Sequence, residues 1–111
     1  MKRGKTMITV YGTPICKHCL TMKIIFERLN VDYQYINITE NTSNLHAFLK
    51  LREEEPVLIE YKSKGGIGIP FFMKDDKKSL DINEALSWEG IAPVAEEEIG
   101  RIVEECSLLL K

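Results

Sequence analysis

Met7-Ile8-Thr9-Val10-Tyr11 is a short apolar run rich in β-formers, and it predicts a first strand over residues 7–11. Gly12-Thr13-Pro14-Ile15 then turns the chain. Leu20 and Ile24, together with Met22, Phe26 and Leu29, recur at helical spacing and predict a helix over 17–29, with Asn30 as its C-cap. Asp32 to Ile38 alternates at period two. Tyr33, Tyr35 and Asn37 fall on one side and Gln34, Ile36 and Ile38 on the other, which is a strand pattern. The polar stretch Thr39 to Ser43 ends it, and Thr42 or Ser43 suits the N-cap of a second helix over 43–53.

Glu53-Glu54-Glu55-Pro56 breaks that helix, and Pro56 fits the first turn of a short one over 57–64, which Gly65-Gly66 closes. Ile67-Gly68-Ile69-Pro70-Phe71-Phe72-Met73 predicts a turn followed by a buried strand. Lys74-Asp75-Asp76-Lys77 is a hairpin-type loop, and 78–81 a short returning strand. A helix over 81–87 follows, capped by Asp81 or Asn83. Beyond Pro93 a last helix over 94–110 carries Ile99, Ile102, Val103, Cys106, Leu109 and Leu110 on one stripe, so it packs against the rest. Strands joined through a helix pair in parallel with a right-handed crossover, whereas strands joined by a tight loop pair antiparallel. The expected class is therefore α/β: a mixed four-stranded sheet with helices on both faces and an extra C-terminal helix.

Composition narrows the functions. A chain of 111 residues, 44% hydrophobic and 29% charged, fits one globular domain over 1–111. A net charge of −2 gives no reason to expect nucleic acid or an anionic membrane as partner. No stretch approaches the roughly 18 apolar residues of a spanning helix. The basic start Met1-Lys2-Arg3-Gly4-Lys5 has no cleavage site after it and reads as a frayed lead-in to the first strand, so the expected location is cytoplasmic. Three cysteines are too few for a secreted disulfide scaffold.

Two of those cysteines stand in Cys16-Lys17-His18-Cys19, where the first strand hands over to the first helix. A helix N-terminus offers free amide N–H groups and the positive end of the dipole, which stabilise a thiolate. Cys16, nearer the helix mouth, reads as the nucleophile and Cys19 as the resolving thiol. Lys17 and a protonated His18 add positive charge, and a neutral His18 could carry a proton to a leaving thiol. Half a zinc site and a structural pair compete with this reading, but the only further ligands of that type are Cys106, His18 and His46, with no second CxxC, and no metal is expected. Pro70 is the second signal. A cis Ile69–Pro70 bond would expose the Ile69 backbone to an extended peptide, although an ordinary trans proline at a strand start is the commoner case. His46 reads as a surface residue and Cys106 as a small core hydrophobe. Trp88 and the tyrosines read as packing.

With these residues in place, the chain resembles the glutaredoxin family of the thioredoxin-like superfamily. The likeness runs over roughly 6–88, which implies a core there and an extension near 94–110. It rests on Ile8 to Pro14 leading into Cys16-Lys17-His18-Cys19, on Tyr35-Ile36-Asn37-Ile38, and on Gly68-Ile69-Pro70-Phe71-Phe72 in the place of the family's cis-proline loop. Asn44 to Arg52 with Ile67 to Pro70 is most similar to bacterial glutaredoxin-related proteins. The resemblance implies a cis Pro70 and a dithiol oxidoreductase that reduces protein or glutathione mixed disulfides, with no permanently bound cofactor. It assigns Thr13, Ile69, Pro70, Asp81 and Asn83 to contact with substrate or glutathione, which would serve as co-substrate. Disulfide-containing proteins and a reductase are the implied partners. Three departures mark this chain. Lys17-His18 replaces the family's Pro-Tyr between the cysteines. Thr13-Pro14 stands where a basic residue is common. Leu80-Asp81-Ile82-Asn83 aligns with Gly-Gly-x-Asp, so close backbone access for the γ-glutamyl end of glutathione is lost. The same cysteines also suit two other expectations: an iron–sulfur cluster held with glutathione or a second protomer, and a redox-sensing adaptor docking through its last helix.

Overall fold

The computed structural model describes residues 7–110. The lead-in over residues 1–5 lies outside them. Strand β1 (Ile8–Gly12) leads through helix α1 (Lys17–Arg28) to β2 (Tyr33–Asn37). Helices α2 (Thr42–Glu54) and α3 (Pro56–Ser63) follow, then the hairpin β3 (Phe71–Lys74) and β4 (Lys77–Ser79), and finally α4 (Ile82–Ser87) and α5 (Glu96–Leu109). The sheet order is β2-β1-β3-β4. β1 pairs parallel with β2, and β1–β3 and β3–β4 are antiparallel, the mixed pattern expected from the connections.

Alternation along the strands divides the core between two faces. Ile8, Val10 and Phe72 point into one layer with Met22, Ile25 and Phe26 of α1, Ala85 and Leu86 of α4, and Ile102 and Cys106 of α5. Phe71 points the other way, joining Ile38, Phe48 of α2 and Leu58 of α3. Phe26 anchors the first layer: its ring lies 5.7 Å from that of Phe72 and meets Tyr33 edge-on at 5.3 Å. Truncating such a ring to alanine removes about 3–5 kcal/mol.

The helix ends follow local chemistry and correct several expected boundaries. Helix α1 stops one residue short of Leu29, and Asn30 is the residue after the cap, with φ 55°. Asn30 N–H donates to the Glu27 carbonyl and Val31 N–H to the Phe26 carbonyl, the paired bonds of a Schellman ending. The cap of α2 is Asn41, not Thr42 or Ser43; its side chain accepts from Asn44 N–H at 2.7 Å. Asn41 wins because it still has extended backbone, whereas Thr42 and Ser43 are already helical. Only Phe48 of α2 is buried, and Leu45 and Leu49 are exposed. Pro56 opens α3, and Asp81 caps α4 by accepting from Asn83 N–H. In α5, Glu96, Glu97 and Glu98 occupy the first turn, where the dipole favours them. Its apolar stripe is buried at Ile102 and Cys106, but Leu109 and Leu110 lie past the last contact and are exposed.

Candidate active site

The site grows out of the β1–α1 junction. β1 is paired on both sides and ends at Gly12. Thr13 is buried, its hydroxyl 2.7 Å from that of Thr39, and its carbonyl accepts from Cys16 N–H. That short loop places Cys16 at the N-cap of α1 with extended backbone, so its side chain sits at the helix mouth. No side chain caps the helix there. Cys19, inside the first turn, is fully buried, and Cys16 is partly exposed; both are free thiols.

The two sulfurs are electrostatically unlike. The Cys16 thiol is brought down to about 5, first by a hydrogen bond from the Cys19 thiol. The backbone N–H groups of Cys19 and His18 and the charge of His18 act in the same direction, against the cost of burial. Cys19 moves the other way, held protonated by its bond to Cys16 and by burial. One sulfur thus favours the thiolate at neutral pH while its neighbour keeps its proton. Lys17 is exposed, and its carbonyl accepts from the Thr21 hydroxyl at 2.8 Å.

A groove of about 350 Å³ opens beside His18, the residue before Cys19, and neither Cys16 nor Cys19 lines it. His18 stands on one wall, Ile69 and Pro70 on the next, and Leu80 to Asn83 on a third. Glu96, Ile99 and Val103 of α5 close it. The Ile69–Pro70 bond is cis. His18, Ile69, Pro70, Asp81 and Asn83 are therefore brought together around one space, and Thr13 lies beneath the thiols instead. Asp81 and Asn83 also have structural tasks: Asp81 caps α4, and both polar atoms of the Asn83 amide bond the backbone of Val94. Cys106 is buried on α5, its sulfur 3.6 Å from the Thr21 hydroxyl of α1, and His46 lies on α2 beside Ser43 and Lys50. Among the described residues no group of three or more His, Cys, Asp or Glu side chains is gathered to hold a metal ion.

Two further residues support the loop through contacts that the sequence does not reveal. Arg52 donates to the Gly66 carbonyl at 2.8 Å and to the Ile67 carbonyl at 2.9 Å, bracing the loop that enters Ile69–Pro70. Gly68, with φ near 99°, passes so close to Leu58 that a Cβ there would stand 2.7 Å from its Cδ2. Both relations are long-range, and only the glycine hints at itself in the sequence.

The strand order, with a cysteine pair where the central strand meets its helix, makes this a thioredoxin-like protein. Residues 8–57 match the family model described as Glutaredoxin. That matched stretch holds the cysteine pair and ends before the Ile69–Pro70 loop. A comparison with curated proteins gave no match. Among the described residues no helix is long and apolar enough to cross a membrane.

Proposed function

We propose that the protein is a dithiol oxidoreductase that reduces disulfides of protein partners, with Cys16 attacking and Cys19 resolving. The observation that carries this reading is the pairing of a low-pKa Cys16 at the mouth of α1 with a buried, protonated Cys19 hydrogen-bonded to it. In the first step Cys16 thiolate attacks one sulfur of the substrate disulfide; a Cys16 mixed disulfide forms and the other substrate sulfur leaves, taking up a proton. Cys19 then gives up its proton and attacks the Cys16 sulfur. The Cys16–Cys19 disulfide forms, the second substrate thiol is released, and two electrons have passed to the substrate. Glutathione, or a reductase acting directly, returns the protein to its dithiol form.

The groove supports a protein disulfide ahead of a glutathione mixed disulfide. Its walls are apolar at Ile69, Leu80, Ile82, Ile99 and Val103, and its charged side chains besides His18 are the carboxylates of Asp81 and Glu96. Glutathione carries two carboxylates, and no Lys or Arg lines the described groove to receive them. The Asn83 amide is already engaged. A cytoplasmic setting goes with this reading, supported by a cysteine usage typical of reducing compartments.

Reduction of a glutathionylated peptide and of a protein disulfide by wild type and Cys16→Ser tests it. Loss of both activities in the variant is expected, and undiminished turnover would sink the reading. Cys19→Ser separates the routes: retained turnover on the glutathionylated peptide alone identifies a one-cysteine path for that substrate.

A further inference from the structure

Tyr35 ends at the cysteine pair although nothing in the sequence distinguishes it from a packing residue. Register pairs it with Val10 on β1, and its ring packs against the α1 side of the core under Lys23 Nζ, 4.8 Å from the ring centroid. Its hydroxyl is buried and has no hydrogen-bond partner among the described residues. A Cβ built on Gly12 would stand 2.7 Å from Tyr35 Oη and 2.9 Å from Cys19 Sγ. Both atoms fill the notch that the missing side chain leaves, and Cys19 is wholly buried there. A buried donor left unpaired is destabilising and calls for an explanation.

We infer that Tyr35 is a positioning residue for the resolving step, its phenol donating a hydrogen bond to Cys19 sulfur whenever that sulfur is a thiolate. The inference rests on the dithiol reading above. In the dithiol the Cys19 proton is directed at Cys16, and the phenol faces the Cys19 sulfur without forming a well-aligned hydrogen bond. When a mixed disulfide occupies Cys16, Cys19 must lose its proton to attack, and the Tyr35 hydroxyl then faces a charged acceptor in a site closed to water. The same contact serves the reverse step, in which a reducing thiolate attacks Cys16 of the Cys16–Cys19 disulfide and Cys19 leaves as the thiolate. The phenol keeps its own proton throughout. Burial and the neighbouring Cys19, Cys16 and Tyr33 all hold it in the neutral form, which makes it a donor and not a base. Gly12 has a role in this arrangement too, since any side chain there would separate the two groups.

Reaction of the reduced protein with a chromogenic aromatic disulfide (Ellman's reagent) follows both steps, because one thiolate is released on attack by Cys16 and a second on resolution by Cys19. Tyr35→Phe keeps the ring and removes only the hydroxyl. The first release and the alkylation rate of Cys16 are expected to stay at wild-type values, while the second release slows about tenfold or more, the scale of a hydrogen bond to a charged group. A second release at the wild-type rate overturns the inference. Equal slowing of both releases does so as well, because it would mean a general disturbance of the site. Incorporating 3-fluorotyrosine at position 35 preserves the hydroxyl but makes it a stronger donor, so it tests the point even where Tyr35→Phe folds poorly. The second release should quicken, and no change again overturns the role. If wild type itself shows only the first release, the dithiol reading fails, and the role of Tyr35 falls with it.

Discussion

Asn83 holds Val94 by both polar atoms of its amide: Val94 N–H donates to Asn83 Oδ1 at 2.9 Å, and Asn83 Nδ2 donates to the Val94 carbonyl at 3.1 Å. This clamp ties the first turn of α4 to the segment that launches α5, and α5 supplies one wall of the groove. Asn83→Ala should lower unfolding free energy by about 1–3 kcal/mol, the cost of stranding part-buried backbone groups. Urea denaturation measures it. Asn83→Asp, which keeps only the acceptor, should fall between wild type and Asn83→Ala, and the Val94 amide should exchange faster in both.

The unequal thiols predict how reactivity follows pH. Alkylation of Cys16 by iodoacetamide should rise with pH around a midpoint near 5, far below the ordinary thiol value of 9.0. The Cys19 thiol is the largest cause of that depression, so Cys19→Ala should move the midpoint upward. His18→Gln removes a smaller charge contribution and should move it upward by less. A midpoint that stays in place in Cys19→Ala would contradict the thiol–thiolate hydrogen bond.

Stability of the reduced protein should follow the same two groups with opposite signs. Cys16 is lowered from 9.0 to about 5, so between those values the unfolded chain holds a proton that the folded protein has released. Stability therefore climbs as pH rises across that window and is lost as pH falls through about 5. Cys19 is raised above its ordinary 9.0, so above pH 9 the unfolded chain loses a proton that the folded protein keeps, and stability declines again. Urea midpoints measured from pH 5 to pH 10 in reductant should trace this rise and fall, and Cys16→Ser should flatten the rising limb.

The approach to Ile69–Pro70 should be sensitive at two supports. Gly68→Ala meets both a left-handed φ near 99° and the Leu58 side chain, and should cost about 1–3 kcal/mol. Arg52→Ala releases the carbonyls of Gly66 and Ile67, so KM for a disulfide protein should rise while Cys16 alkylation is unchanged. An altered alkylation rate in Arg52→Ala would place its effect on the thiols instead.

Much of the fold was legible because its signals are local. Period-two alternation located β2, helical spacing located α1 and α5, and Pro56 marked the opening of α3. The place of the cysteine pair, between a strand and a helix, was legible for the same reason. Boundaries were harder wherever two polar residues competed for one job, as at Asn41 against Thr42 and Ser43, because backbone conformation decides the cap and several residue types can serve. The wider site was least legible. Arg52 reads as one residue of the second predicted helix, Tyr35 as one side of an alternating strand, and Asn83 as a candidate cap. Each acquires its role only from a partner far along the chain, and single-sequence periodicity carries no record of such pairs.

Strand β1 lies in the middle of the sheet and is hydrogen-bonded along both edges, whereas the groove draws mainly on the Ile69–Pro70 loop, the Leu80 to Asn83 segment and helices, with Phe72 as its one strand residue. Amides of β1 should therefore be among the last to exchange and those around Ile67 to Pro70 among the first. The cysteines hang from the part of the molecule that opens least, and the surface that would meet a partner belongs to the part that opens most. Substitutions in that outer surface can retune which partner is accepted and leave the thiol pair seated, so choice of substrate is free to drift while the reaction stays fixed.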